Sequence, residues 1–328
     1  MRPKELKDLL VTCIKAGLPV LIKGQPGVGK SDIVEQAAAE CKADFILRHP
    51  VVEDPTDYKG APAVLDGKAD FLPFGDLRAL MLAKKLTVCM IDDLGQAAPV
   101  VQAAAMQLIL ARRINGHKIS DKVIFIAATN RREDKAGVTS ILEPVKSRFA
   151  TIVQLDVNVD DWCEWALQHD VPPELVAFIR FRPQLLSDWK PTNDIVNGPC
   201  PRTVARMGQL YAAGVRTLEP LAGAVGQGFA TEFLGFIRVW QSLPSIDGIL
   251  IDPTSGNIPD SPAALYAIVS ALSGRATAAN ADRIVRYARR LPEEFGVLLV
   301  RDLIRVCPTA TSCKEFIAWA TEHQDALS

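Results

Sequence analysis

Eight consecutive residues, Gly24, Gln25, Pro26, Gly27, Val28, Gly29, Lys30 and Ser31, match the pattern Gly-x-x-x-x-Gly-Lys-Ser/Thr. These residue types at this spacing suit the cradling of phosphate. Backbone N–H groups of a glycine-rich turn converge on phosphate oxygens. A helix that begins at such a turn adds the partial positive charge of its N-terminus. Lys30 is then expected to reach the β- and γ-phosphates of a nucleoside triphosphate, and the Ser31 hydroxyl to bind Mg²⁺.

Two further segments place chemistry-bearing residues after apolar runs. Thr87–Ile91 ends in Asp92-Asp93, and Val123–Ala128 is followed by Thr129-Asn130. Adjacent parallel strands deliver their C-terminal ends to one crevice. Asp92 is therefore expected to hold Mg²⁺ through water, and Asp93 to orient or polarise an attacking water. Asn130 is expected to touch the γ-phosphate or that water. Taken singly, paired acids and an Asn after a strand also fit ordinary solvated turns.

The elements that must carry these residues follow from the apolar pattern. Strands are predicted at Val20–Lys23, Phe45–Arg48, Thr87–Ile91, Val123–Ala128 and Thr151–Leu155, several as near-continuous apolar runs typical of parallel strands covered on both faces. Helices are predicted at Lys4–Ala16, Asp32–Glu40, Leu77–Lys84 and Pro99–Leu110. Asn115-Gly116, inside Arg112–Ile119, signals a hairpin. The alternation predicts an α/β fold, a doubly wound parallel sheet. Beyond about Asp160 the chain reads as helical, with segments at Arg202–Ala213, Ala222–Ser242, Ala263–Ser273, Thr277–Leu291, Pro292–Val306 and Cys313–Glu322. Trp240, Phe316 and Trp319 lie in these helices as core residues or as anchors for a partner.

Composition bounds the function. The 328 residues carry a net charge of −1, and no long Lys/Arg run is present, so nonspecific duplex binding is not supported. No stretch reaches the length of a membrane span. Seven cysteines are scattered without a C-x-x-C pair, and the four histidines show no metal-ligand spacing. Met1–Leu10 is charged and lacks the apolar core of a secretory signal, so a reduced, cytoplasmic setting is the expectation.

The order of strand, phosphate loop, acidic strand end and Asn-terminated strand resembles the AAA+ ATPases, most closely their MoxR-like, dynein-related group. Asp54-Pro55-Thr56-Asp57-Tyr58-Lys59-Gly60-Ala61-Pro62 is similar to the D-P-x-D-x-x-G-x-P segment of that group. The Asn-Gly hairpin, Glu143–Phe149 and Cys200-Pro201-Arg202-Thr203 fit as well. The likeness covers about Lys4 to Ala213. It implies a P-loop NTPase core over 1–158, a helical lid over 159–216 and a helical C-terminal extension over 217–328. It further implies ATP and Mg²⁺ as ligands, and a homo-oligomer in the form of a hexameric ring. The implied partner is a protein, such as one with a von Willebrand factor A domain.

The resemblance also implies roles. Asn130 stands at the sensor 1 position, Arg148 at the arginine finger that serves a neighbouring subunit, and Arg202 at sensor 2. Gly60–Gly75 stands where the group faces its central pore, although Phe71-Leu72-Pro73-Phe74 also fits core packing. One departure matters: the family carries Asp-Glu where this chain has Asp92-Asp93. A side chain shorter by one methylene falls short by about 1.5 Å unless the backbone shifts, so slow hydrolysis is expected. Gln96 is a candidate for holding Asp93. The alternatives to a partner-remodelling ATPase are an ATP-controlled scaffold with little turnover and a DNA-acting helper.

Overall fold

The computed structural model describes residues 1–134, 141–192 and 194–323. The chain divides into two compact units, Met1–Val157 and Asn158–Ser328.

The first unit contains the strands β1 (Val20–Gly24), β2 (Asp44–Arg48), β3 (Ala61–Leu65), β4 (Lys68–Leu72), β5 (Thr87–Ile91), β6 (Arg113–Ile114), β7 (His117–Lys118), β8 (Val123–Thr129) and β9 (Thr151–Leu155). Its helices are α1 (Pro3–Ala16), α2 (Lys30–Glu40), α3 (Pro55–Lys59), α4 (Gly75–Leu82), α5 (Pro99–Ala111) and α6 (Glu143–Lys146). Five strands form one parallel sheet in the order β2-β5-β8-β1-β9. This is the α/β fold that the alternation of elements predicts, a parallel sheet with helices on both faces.

Strand alternation explains how that sheet is covered. Val88 and Met90 of β5, with Val20, Ile22, Ile126 and Ala128, pack on one side against Leu6 and Leu10 of α1 and Val34, Ala37 and Ala38 of α2. Cys89 and Ile91, with Leu21, Phe125 and Ala127, pack on the other side against Leu77 and Leu80 of α4 and Val101, Ala105 and Leu108 of α5. β5 and β8 are buried along their whole length, as central parallel strands must be.

Two small hairpins project from this frame. β6–β7 turns at Asn115-Gly116, both with positive φ (47° and 83°), as the Asn-Gly signal predicts. β3–β4 turns at Asp66-Gly67 (49° and 76°) and was not anticipated, although Asp-Gly is an equally good hairpin signal. Leu72 and Phe74 are each 42% exposed, so this segment does not pack into the core. His117 Nε2 ties the hairpins together by donating to the Phe71 carbonyl (2.7 Å), and Asn115 Nδ2 donates to the Lys59 carbonyl at the end of α3 (3.1 Å).

The second unit is helical in its described residues. Phe178, on the helix Pro173–Phe181, meets Phe229, Phe233 and Phe236 at ring-centroid distances of 5.2, 5.5 and 5.6 Å. A second core gathers Leu265, Ile268, Ile284, Val285, Leu299, Leu303, Phe316 and Trp319. Phe316 and Trp319 are therefore core residues, and the docking alternative for them falls away; Trp240 is half-buried. The single helix expected over Ala222–Ser242 is two, Leu218–Val225 and Gln227–Gln241. Gly226 between them has φ +85°, which breaks a right-handed helix and which glycine adopts freely. No described helix is long and apolar enough to cross a membrane.

Candidate nucleotide site

The glycine-rich turn connects β1 to α2, with Gly27 at φ +73° and Gly29 at +97°, conformations that a residue with a Cβ rarely takes. Gly24 is needed for a different reason: a Cβ there would stand 3.0 Å from the Leu155 carbonyl of neighbouring β9. Lys30 opens α2 and is only 7% exposed. Its ammonium donates to the carbonyls of Gly24 (3.0 Å) and Gln25 (3.1 Å) and to Asn130 Oδ1 (2.7 Å).

Sheet order brings the other residues alongside. β8 lies next to β1 and β5 next to β8, so Asn130 and the two acids leave the sheet at the same edge as the glycine-rich turn. Ser31 Oγ donates to Asp92 Oδ2 at 2.5 Å. Asp92 Oδ1 in turn accepts the Asp93 N–H at 2.9 Å. The Asn130 side chain donates through Nδ2 to Asp93 Oδ1 (3.0 Å) and to Gln96 Oε1 (3.2 Å). Lysine, serine, both aspartates and the asparagine thus form one constellation, assembled from residues up to a hundred positions apart.

Asp93 has a backbone feature the sequence did not disclose. Its φ and ψ are 55° and 32°, in the left-handed region, where it caps the short turn Leu94–Gln96. Aspartate and asparagine enter this region more readily than longer side chains because a short polar group bonds locally. The shorter acid therefore sits on a backbone that turns differently from an extended strand end.

Arg148 lies just after α6 and is half-buried; its buried Nε has no hydrogen-bond partner among the described residues. Arg202 is exposed in the first turn of the helix Pro201–Ala212 of the second unit. Gln96 faces Asn130 and its backbone N–H bonds to the Asp93 carbonyl at 2.9 Å.

One residue beside the site was missed. Arg48 ends β2, is 2% exposed, and its carbonyl accepts the Asp92 N–H at 2.9 Å. Its guanidinium pairs with Glu53 (3.0 Å), donates to the Asp57 carbonyl (3.3 Å) and lies 4.1 Å over the Tyr58 ring. Burial pushes the Tyr58 hydroxyl and the Cys89 thiol upward, the latter to about 12. An arginine closing an apolar strand was the available signal. The Asp-Pro-Thr-Asp segment that follows is a capped helix: Asp54 accepts from the Thr56 N–H (2.6 Å), and Asp57 from the Asp54 N–H (2.9 Å).

Residues 20–157 match the family described as ATPase family associated with various cellular activities (AAA), and this segment is an AAA ATPase-family domain. No curated protein matches the chain. Among solved structures, the chain is similar to the Holliday junction branch migration motor RuvB of Thermotoga maritima, at 16% identity and a TM-score of 0.40, covering 82% of this chain and 80% of that one. It is also similar to NtrX from Brucella abortus in complex with ADP, at 12% identity and a TM-score of 0.44, covering 99% of this chain and 68% of that one.

Proposed function

We propose that this protein is a Mg²⁺-dependent ATPase of the MoxR-like kind, which assembles into a ring and uses ATP turnover to remodel or activate a protein partner. The observation that carries the reading is the bonded set Lys30–Asn130–Asp93, with Ser31–Asp92 beside it. A phosphate-binding cation, a polar orienting group and a carboxylate base share one network next to a glycine-rich turn.

Each residue has a task. Lys30 and the N–H groups of Gly27, Val28 and Gly29 neutralise the β- and γ-phosphate oxygens. Asp93 takes the proton of the attacking water as its oxygen bonds to the γ-phosphorus and the bond to the bridging β-phosphate oxygen breaks. Asn130 orients that water. The Ser31 hydroxyl and the Asp92 carboxylate are neighbouring hard oxygen donors joined by a hydrogen bond, a set that would hold Mg²⁺ with Asp92 acting through water. When bound, the ion neutralises charge that builds on the phosphate oxygens. Arg148 is assigned to the phosphates of a neighbouring copy and Arg202 to the γ-phosphate, because a preplaced guanidinium stabilises transition-state charge.

The assignment is tested with Lys30→Ala and Arg148→Ala, measuring phosphate release and nucleotide affinity. Lys30→Ala loses both. Arg148→Ala loses turnover, by roughly 10³-fold or more for an arginine finger, and keeps binding. Unchanged turnover in Arg148→Ala removes the shared-site part of the reading. The short acid at Asp93 favours a second reading, an ATP-controlled scaffold with little turnover. Multiple turnovers per subunit, abolished in Lys30→Ala, exclude it. A hexameric ring, a partner with a von Willebrand factor A domain and a cytoplasmic location belong to the same proposal, and copurification with an Asp93→Asn variant tests the partner.

A further inference from the structure

The two ends of the Asn130 side chain are held by groups of opposite kind. Its Oδ1 is 2.7 Å from the Lys30 ammonium, which can only donate. Its Nδ2 is 3.0 Å from Asp93 Oδ1 and 3.2 Å from Gln96 Oε1, so each of its two protons has an acceptor. A rotated amide would set donor against donor at Lys30 and oxygen against oxygen at Asp93. The network therefore fixes one orientation, and at 7% exposure Asn130 has little water to substitute for a lost partner.

The two acceptors differ in what catalysis asks of them. Asp93 must release Asn130, at least in part, to engage a water and take its proton. Gln96 is neutral, takes no proton, and is tied to Asp93 through its backbone N–H. It alone of the two acceptors can stay in place throughout a turnover.

We propose that Gln96 is a positioning residue: its side-chain carbonyl holds the Asn130 amide in register, so that Asp93 can leave for the water without the amide rotating. This role stands beside the sequence-based expectation that Gln96 holds Asp93, to which its backbone N–H is bonded, and it rests on the reading of the site as an ATPase.

The test compares Gln96→Met, similar in size without an acceptor oxygen, with Gln96→Glu, which keeps one. Gln96→Met is expected to lower kcat roughly tenfold, the rate equivalent of one neutral hydrogen bond, with KM for ATP within about twofold, because the phosphate-binding residues are untouched. Gln96→Glu is expected to recover most of the lost kcat. A second readout needs no turnover. The Asn130 side-chain amide resonances, assigned by their loss in Asn130→Ala, should shift upfield for one proton in Gln96→Met and remain in place in Gln96→Glu. Unchanged kcat in Gln96→Met overturns the proposal, as do parallel losses of kcat and nucleotide binding or unmoved Asn130 resonances. If the wild-type protein turns over no ATP, the ATPase reading fails, and the amide resonances still decide whether Gln96 positions Asn130.

Discussion

On the proposed reading of Asp93 as the base, Asp93→Glu installs the residue carried by the AAA+ ATPases that the sequence resembles, yet the geometry predicts slower turnover. The backbone at Asp93 is left-handed, at φ 55°. A longer side chain lacks aspartate's local compensation there, at a cost of about 1 kcal/mol. In a unit of this size that lowers Tm by roughly 2–4 °C. The added methylene also moves the carboxylate by about 1.5 Å. Asp93 Oδ1 already lies 3.0 Å from Asn130 Nδ2, a normal hydrogen-bond length, so an extension of that size overshoots. The carboxylate must fold aside or push Asn130 off Lys30. A displacement of about 1 Å at a reacting group costs on the order of 10² in rate. Steady-state phosphate release at saturating ATP should therefore fall about a hundredfold in Asp93→Glu, with nucleotide affinity unchanged because Lys30 and the glycine-rich turn are intact. Asp93→Asn should fall at least as far, since on the proposed reading it removes the base. Turnover in Asp93→Glu at or above the wild-type rate would refute the reasoning and show that the aspartate merely falls short.

Three further outcomes are expected. Arg48→Leu leaves Glu53 half-buried without its cation and should cost about 3–5 kcal/mol in thermal unfolding, while Arg48→Leu combined with Glu53→Leu recovers most of it; equal stability of the single and double variants counts against the pair. Gly60→Ala sets a Cβ 2.7 Å from the Leu72 carbonyl at φ +89°, so the base of the β3–β4 hairpin must shift at a cost of about 1–3 kcal/mol; trypsin should then cut faster at Lys59 and Lys68, and an unaltered digestion pattern speaks against this packing. Burial pushes the Cys89 and Cys163 thiols up to about 12, so a thiol reagent at pH 8 should reach the half-buried Cys41 and Cys313 first and Cys89 and Cys163 only after unfolding; fast labelling of Cys89 in the native protein contradicts its placement.

Much of this was legible because it is local. The glycine-rich turn, the apolar runs of β1, β5 and β8 and the Asn115-Gly116 turn each declare themselves within about ten residues, where periodicity and turn chemistry act. The same logic applied to Asp66-Gly67 would have found the β3–β4 hairpin. Gly226 marks where local pattern stops: one apolar helical run spans it, and only the backbone reveals that the glycine takes a positive φ and ends the helix.

By itself the sequence determined which residues are candidates for phosphate chemistry and that their strands are parallel and buried, since residue type and spacing make the phosphate-loop pattern and strand burial local properties. Tertiary structure alone decided that β5 and β8 stand beside β1 in that order, joining Lys30 to Asn130 and Ser31 to Asp92. It also decided that Asp93 turns left-handed, that Gln96 faces Asn130, and that Arg48 is a buried cation under the acidic strand end. The reason is that strand order, burial of a charge and the orientation of an amide depend on partners distant in the chain. Their energies exist only once the sheet has formed and water has been excluded from around it.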